Sequence, residues 1–423
     1  LTTTDWEIRN MGDMMDRRSF LKMGAGLSVG VTVSGNEAFA QEEVIRFGGS
    51  VPMTGAAAET GLNVKFGYDC AVKFVNEKMG GVEIGGKKYK LALDLFDDAS
   101  DPARATSLIQ KQVDGGVNFF LGSFGSNIVL PTCAITEAAG RIMVQAGGGS
   151  DLIFTQGRKR VFGLFPRASR QFASTTAMFK TLQPQPQSVM FIYTNDAFSK
   201  VAAEGARKEV EAAGYKVLDS ISLPAQVTDV TDALGTVRAA NPDILVCSTH
   251  DAASILIARQ MVATNTNVKF LFQSLGPATA AYRDALDKYA NGAATASYWD
   301  ESASYKGAIF GSAKEFAAYY RANFKRELVY HMASGAGCIV AYLEAMKKAG
   351  TVTDRNAIRD ALASLDLETF YGHIKFTAQG DGDAVLLGPL VIQRQKGALA
   401  VVFPPEAASA PVIYPVPAWQ DRT

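Results

Sequence analysis

Histidine is the scarcest chemical resource of this 423-residue chain: there are three, His250, His331 and His373, and none stands at ligand spacing from a second histidine or a cysteine. That removes the usual signature of a catalytic zinc and leaves little for a histidine general base. Net charge is also missing, because 42 Lys and Arg balance 42 Asp and Glu. No field draws in a polyanion, so nucleic acid is not an expected partner. Past residue 40 there is no Gly-x-Ser-x-Gly nucleophile elbow. Gly81-Val-Glu-Ile-Gly-Gly-Lys87 approaches a phosphate-binding loop, but Lys88 stands where a Ser or Thr would hold magnesium, and a strand follows. It reads as a Gly-rich turn from helix to strand, and no cofactor is expected. Cys70, Cys133, Cys247 and Cys338 are far apart, each inside an apolar run, without metal spacing. They are expected to be free, buried thiols. Asp94, Asp97 and Asp98 form the one tight carboxylate cluster after a strand; an acid-base pair is one reading, capping of turns and helices the other. An enzyme is not expected.

What is present begins with an address. Arg17-Arg18 sits in Asp16-Arg-Arg-Ser-Phe-Leu-Lys22, ahead of a mild apolar stretch at 24–33 and a small-x-small site at Ala38-Phe39-Ala40-Gln41. Gly24, Gly26, Ser28, Gly30 and Thr32 make that stretch too short and too weakly apolar to span a bilayer. The order of parts is that of a secretory signal, and the paired arginines resemble the twin-arginine signal, which exports folded cargo. The expectation is that residues 1–40 hold upstream sequence and the signal, with a start at Met14 or Met15. A mature protein from Gln41 in the periplasm follows. Cargo that folds before export folds in a reducing compartment, which suits unpaired cysteines.

From Val44 onward, short strand-like runs alternate with helix-length amphipathic segments, the pattern of βαβ units around a parallel sheet. Strands are expected at 45–52, 88–96, 117–121 and 142–144, with helices at 62–78, 102–114 and 127–139 between them. After Gly147-Gly148-Gly149-Ser150 the plan restarts: helix from 171, strands at 188–193, 215–223, 244–247 and 268–272, helices at 200–213, 227–239, 252–263 and 280–289. Three helices at 313–324, 334–348 and 355–365 then follow one another, and helices without strands of their own pack back on the first sheet. The fold class is α/β, two doubly wound parallel-sheet lobes: 44–165 plus 298–371, and 166–297 plus 372–423. Phe165-Pro166 is an expected crossing, and the chain from Pro404-Pro405 is expected to be a tail lying on the surface.

Three loops carry a resemblance. Ser50-Val-Pro-Met-Thr-Gly55, Asp97-Asp-Ala-Ser-Asp-Pro-Ala-Arg-Ala105 and Leu121-Gly-Ser-Phe-Gly-Ser126, each after a strand and in this order, resemble the leucine/isoleucine/valine-binding protein family, the extracytoplasmic solute-binding components of ABC transporters. The resemblance runs from about Val44 to near the C-terminus. It implies a type I periplasmic binding protein, with two lobes joined by a three-crossing hinge and closing on a ligand. Ligands of open α/β sheets bind outside the carboxyl ends of the strands, where these loops fall. Ser126 and Asn127 are the first candidate ligand residues, at a helix start suited to a carboxylate; simple capping of that helix is the alternative. Gly147, Gly149 and Ser150 match the family's second loop, with glycine where Ala-Ala-Thr is usual.

The resemblance further implies an aromatic wall at Phe198 and a ligand residue at His250. Where amino-acid binders of the family often carry an acid to meet the ammonium, this chain has Phe272-Gln273-Ser274-Leu275, which makes Ser274 the matching candidate. Asp251 could substitute for the acid or cap the helix from Ala252. Arg167 and Arg170 could meet an anion or be solvated hinge residues. Trp299, in Tyr298-Trp299-Asp300 at the expected second crossing, and Thr60, opening the first helix, complete the set. The functional expectation is a monomeric solute-binding protein that delivers a hydrophobic or branched-chain amino acid to a membrane permease. An aromatic carboxylate or an amide is the competing ligand, and a sensory ligand-binding module the competing class.

Overall fold

Strand Glu43–Val51 buries Ile45, Phe47 and Val51, and its neighbour Phe119–Leu121 is buried throughout, as a parallel sheet between helix layers requires, while its other neighbour Lys87–Asp97 is only partly covered. The computed structural model describes residues 43–384 and 388–422, so the arginine pair, the apolar leader and the cleavage site lie outside the described residues. Six strands form the first sheet in the spatial order Val82–Ile84, Lys87–Asp97, Glu43–Val51, Phe119–Leu121, Ile142–Gln145, Val161–Gly163, all parallel except the first. The second sheet has seven, in the order Ala398–Phe403, Leu390–Gln395, Ala294–Ser297, Phe270–Gln273, Ile244–Ser248, Ser188–Thr194, Lys216–Leu223. Leu390–Gln395 runs antiparallel to Ala294–Ser297, and Ala398–Phe403 runs antiparallel to Leu390–Gln395 in turn. In each sheet the strand order reverses beside the first strand laid down, between Glu43–Val51 and Phe119–Leu121 and between Ser188–Thr194 and Ile244–Ser248. These are the topological switch points where crevices open.

The helix Tyr330–Ala349 returns to the first sheet and crosses the helix Ala58–Lys73 at two glycines. A Cβ on Gly67 would lie 2.2 Å from the Met332 carbonyl oxygen, and one on Gly335 would lie 2.5 Å from that of Val64. Only glycine allows this approach, which draws Tyr342 under the sheet, where its hydroxyl donates to the Phe120 and Ile142 carbonyls, both at 2.9 Å. The chain therefore passes between the sheets near Phe165-Pro166, returns after Ser297, and crosses again between Phe376 and Leu390.

Several expectations shift. The helix expected at 334–348 begins at Tyr330, and its added first turn carries Tyr330 and His331 toward the cleft. Strands Val161–Gly163 and Ala294–Ser297 were not foreseen, being too short for a periodic signal. The Gly-rich stretch at 81–87 forms the short strand Val82–Ile84 and a hairpin turn at Gly85 (φ 58°) and Gly86 (φ 77°). The tail does more than lie on the surface: Val416 and Trp419 are buried in the second lobe, because this Pro-rich segment ends in apolar anchors. Among the described residues no helix is long and apolar enough to cross a membrane. The four cysteines are free and buried, and burial pushes their thiols up, Cys133 to about 11.

Candidate functional site

Gly125, at φ 96°, turns the chain from strand Phe119–Leu121 into helix Ser126–Ala138 and is itself the N-cap residue. Ser126 is the first residue inside the helix and does not cap it. Its buried hydroxyl accepts the N–H groups of Gly149 at 3.1 Å and Ser150 at 3.0 Å, stitching the next loop to this helix. Gln145 holds the same loop from its strand: Oε1 accepts from Gly147 (2.9 Å) and Gly148 (2.6 Å), and Nε2 donates to the Gly148 carbonyl at 2.8 Å. With both lone pairs of Ser126 engaged, what it offers a solute is its O–H. Ser126, Gly147 and Gly149 line a cavity between the lobes. Asn127 is exposed on the helix and does not line it, and Ser150 is buried behind the loop, where its Oγ has no partner among the described residues.

Phe198 and His250 face this loop from the second lobe, and one carboxylate positions both. Asp196 accepts the N–H groups of Phe198 (3.0 Å) and Ser199 (2.9 Å), and its Oδ1 lies 3.3 Å from His250 Nε2. Burial opposes the charge on Asp196, but His250 and these N–H groups hold its pKa well below the usual range. Burial likewise depresses His250, and Asp196 outweighs it, so the imidazole pKa lies above its ordinary 6.5. Phe198 comes so near Gly149 that a Cβ there would sit 3.2 Å from the ring. Ser274 does not reach the cavity: its hydroxyl donates to the Thr249 carbonyl at 2.8 Å and accepts the Thr249 N–H at 2.9 Å, while its neighbour Leu275 lines the wall.

The hinge supplies the remaining wall. Phe165 stacks on Tyr298, with centroids 4.8 Å apart and planes at 20°, and Tyr330 meets both rings at its edge. His331 stands edge-on to Phe124 at 5.5 Å, and burial pushes its pKa down to about 3, so the ring is neutral at physiological pH. Trp299 is a hinge residue: its indole donates to the Phe370 carbonyl at 3.0 Å and lines a neighbouring groove rather than this cavity. Thr60 is not on the wall either. Its hydroxyl donates to Asp251 across the cleft. Burial raises the Asp251 pKa, and its Oδ1 has no partner among the described residues.

The space between these walls is about 420 Å³ when the open solvent at its mouth is counted, and about 30 Å³ of it has room for the centre of a water-sized molecule, so the lobes lie close together around it. Its walls are mostly aromatic and apolar, with Ser126, Gln171, two imidazoles and the tyrosines Tyr298 and Tyr330 as the residues that bring polar groups, and among the described residues lining it none is a carboxylate. Arg167 pairs with Asp381 at 3.1 Å and Arg170 faces Glu209 at 3.7 Å, so neither guanidinium is on the wall. The Asp97 and Asp98 carboxylates hold loops together. Asp97 accepts from the N–H groups of Met53, Thr54 and Ala99, and although burial opposes it, these bonds and the Thr54 hydroxyl hold its pKa at about 2. Asp98 accepts from Ser50 and Ser123 at 2.9 and 2.6 Å. Among the described residues no group of three His, Cys, Asp or Glu is placed to hold a metal.

Sequence reasoning missed Phe124, Gln171, Tyr298, Tyr330 and His331 as wall residues. Phe124 lies inside the quoted 121–126 loop and could have been found there. Tyr330 and His331 required the helix start four residues earlier than periodicity places it.

Residues 44–397 match a family model described as periplasmic binding protein. A Leu/Ile/Val-binding protein homologue of Brucella melitensis is 24% identical over 217 residues, which is 51% of this chain and 57% of the relative. A leucine-, isoleucine-, valine-, threonine- and alanine-binding protein of Pseudomonas aeruginosa is 24% identical over 220 residues, 52% of this chain and again 57% of the relative, so the matched region spans a little over half of each. Among solved structures, a solute-binding protein of R. palustris in complex with benzoate superposes with a TM-score of 0.73 at 17% identity, covering 88% of this chain and 98% of that one. The branched-chain amino acid substrate-binding protein of Streptococcus pneumoniae in complex with isoleucine gives 0.73 at 20% identity, over 86% and 100%. The architecture is the two-lobed fold of the type I binding proteins, whose members bind solutes and do not transform them. With the model matched over most of its length, the chain belongs to the periplasmic binding protein family.

Proposed function

We propose that this protein is the solute-binding component of an ABC importer, exported to the periplasm by the twin-arginine leader, and that as a monomer it hands a small solute to a membrane permease. The carrying observation is the aromatic-walled cavity at the switch points of two facing sheets, lined from both lobes, with a serine hydroxyl stitched to a glycine loop. Closure performs the function: contacts made to both lobes at once favour the closed state, and only a solute with such differential contacts shifts the equilibrium. The lobes are 44–165 with 298–371 and 166–297 with 372–423, except that the third passage lies beyond Phe376, since Ile374 and Phe376 pack with the first lobe's core.

An aromatic carboxylate or amide fits this wall better than a branched-chain amino acid. Ser126 offers its O–H to a carboxyl or carbonyl oxygen, and ring faces surround the rest. The ammonium of an amino acid would meet Leu275 and two imidazoles, with no acid among the described lining residues. The names of the relatives speak for leucine, isoleucine and valine, and the benzoate-bound neighbour for the aromatic acid. A thermal-shift panel of leucine, isoleucine, benzoate and benzamide separates them, because a ligand at a hundred times its dissociation constant adds about 2.7 kcal/mol. Benzoate or benzamide is expected to raise the melting point. Leucine acting while both aromatics fail would overturn this ligand class.

A further inference from the structure

We propose that Gln171 is the second polar anchor of the cavity and that it requires the solute to bring a hydrogen-bond donor. This rests on the aromatic acid or amide reading above and narrows it. Gln171 follows the single turn Ala168–Arg170 just past the first crossing, and its backbone is fixed there. Its N–H bonds the Ala168 carbonyl at 3.1 Å, and the Ala168 N–H bonds the Gly149 carbonyl at 2.7 Å. The side chain is 2% exposed and lines the cavity, yet Oε1 has no hydrogen-bond partner among the described residues.

Buried amide oxygens in folded proteins are paired, and one left over on a cavity wall is paired by what the cavity takes in. The two anchors are complementary and sit on different lobes. Ser126, from the first sheet, has its lone pairs engaged by the Gly149 and Ser150 N–H groups and gives a proton to an acceptor. Gln171, next to Phe172 of the second lobe's core, takes one from a donor. A solute bearing both an acceptor and an N–H or O–H is thereby bonded to each lobe, with the rings of Phe124, Phe165 and Phe198 around its apolar body. Plain benzoate can accept from Ser126 and from the Gln171 NH₂ but leaves Gln171 Oε1 unpaired; hydroxybenzoates, aminobenzoates or benzamide have the chemistry to pair that oxygen as well. The other orphaned oxygens near the cleft, Ser150 Oγ and Asp251 Oδ1, belong to residues that do not line the cavity.

The test is isothermal titration of the wild-type protein and of Gln171→Met, a similar shape without the amide, with benzoate, the three hydroxybenzoates, 4-aminobenzoate and benzamide. The best donor-bearing ligand is expected to bind the wild type about tenfold or more tightly than benzoate, and the gap should close in Gln171→Met. The ligand-free melting point of the variant should stay level or rise, because the change removes an unpaired buried amide. A lower melting point with the preference intact makes Gln171 a structural residue and overturns the proposal. Equal binding of all these ligands by the wild type overturns the donor requirement and leaves the aromatic class standing. Binding of none overturns both.

Discussion

Thr60, on the first-lobe helix Ala58–Lys73, donates its hydroxyl to Asp251, the first residue of the second-lobe helix Asp251–Ala263, and both side chains are buried in the contact. Two residues 191 apart in sequence thus join the lobes directly. A bond between the lobes is lost if they part, so it favours the closed state without touching the solute.

Thr60→Val keeps the shape and removes the donor, leaving a buried carboxylate with less support. A hydrogen bond to a charged group contributes about 1.5–3 kcal/mol, so affinity for any solute that requires closure should fall by about tenfold or more. Thr60→Ser should restore most of it. Titration calorimetry on the three proteins decides; wild-type affinity in Thr60→Val would show that the latch does not hold the lobes.

The same contact sets a pH dependence. Burial raises the Asp251 pKa above its ordinary 3.8, and the His250 pKa lies above its ordinary 6.5 because Asp196 outweighs burial. For a raised pKa, the stabilisation is complete below the ordinary value and is lost as pH rises through the raised one. Both groups therefore act in one direction. The ligand-free melting point should decline as pH rises above the ordinary carboxylate value of 3.8, and decline further above the ordinary imidazole value of 6.5, and His250→Gln should flatten that upper part. Asp97 and Asp196, whose values are lowered, act in the acid range instead: their stabilisation is lost as pH falls through the lowered values.

Ser126→Ala should damage fold and function together. Two buried N–H groups, those of Gly149 and Ser150, lose their acceptor, and the solute loses its donor. Urea denaturation should report a loss of about 1–3 kcal/mol, with binding falling beyond what that loss explains. A stable variant with intact affinity would remove Ser126 from the site.

The sheets, their alternation with helices and the loops at the strand ends were legible because parallel strands buried on both faces write continuous apolar runs. Ser126, Gly147, Gly149, Phe198 and His250 followed from strand-end position and resemblance. Asn127 and Ser126 could not be told apart on that basis, since adjacent residues at a helix start point about 100° apart; the structure turns Ser126 inward and Asn127 to solvent. Ser274 sits at the expected place but bonds the Thr249 backbone, a local choice that no pattern announces. Gln171 carries no motif at all. Its role is visible only as an oxygen without a partner.

Gly149→Ala tests how tightly the lobes approach. The added Cβ would lie 3.2 and 3.3 Å from two carbons of the Phe198 ring, on the opposite lobe. The first-lobe loop should tolerate the methyl, leaving the ligand-free melting point nearly unchanged, while closure is opposed and affinity drops by about tenfold, as overpacking of 1–3 kcal/mol implies. Phe198→Leu in the same protein should recover part of the loss. Equal affinity in Gly149→Ala would mean that Phe198 yields without consequence.

Trp419 separates fold from binding. Its indole donates to the Thr266 carbonyl at 2.6 Å, its backbone N–H to Asn267 Oδ1 at 2.9 Å, and the Arg422 guanidinium lies 3.5 Å above its ring. Arg422 in turn donates to the Tyr289 and Asn291 carbonyls at 3.0 and 2.7 Å, and burial lowers its pKa to about 10. The tail thus closes over the second lobe's outer helices, away from the cavity wall. Trp419→Ala should lower unfolding free energy by about 3–5 kcal/mol, the usual loss for a large buried aromatic, with ligand affinity unchanged under conditions where the protein stays folded. Denaturant melts and calorimetry on one preparation measure both. A loss of affinity without a loss of stability would place the tail in the closing motion, and a loss of neither would show that Trp419 does not anchor it.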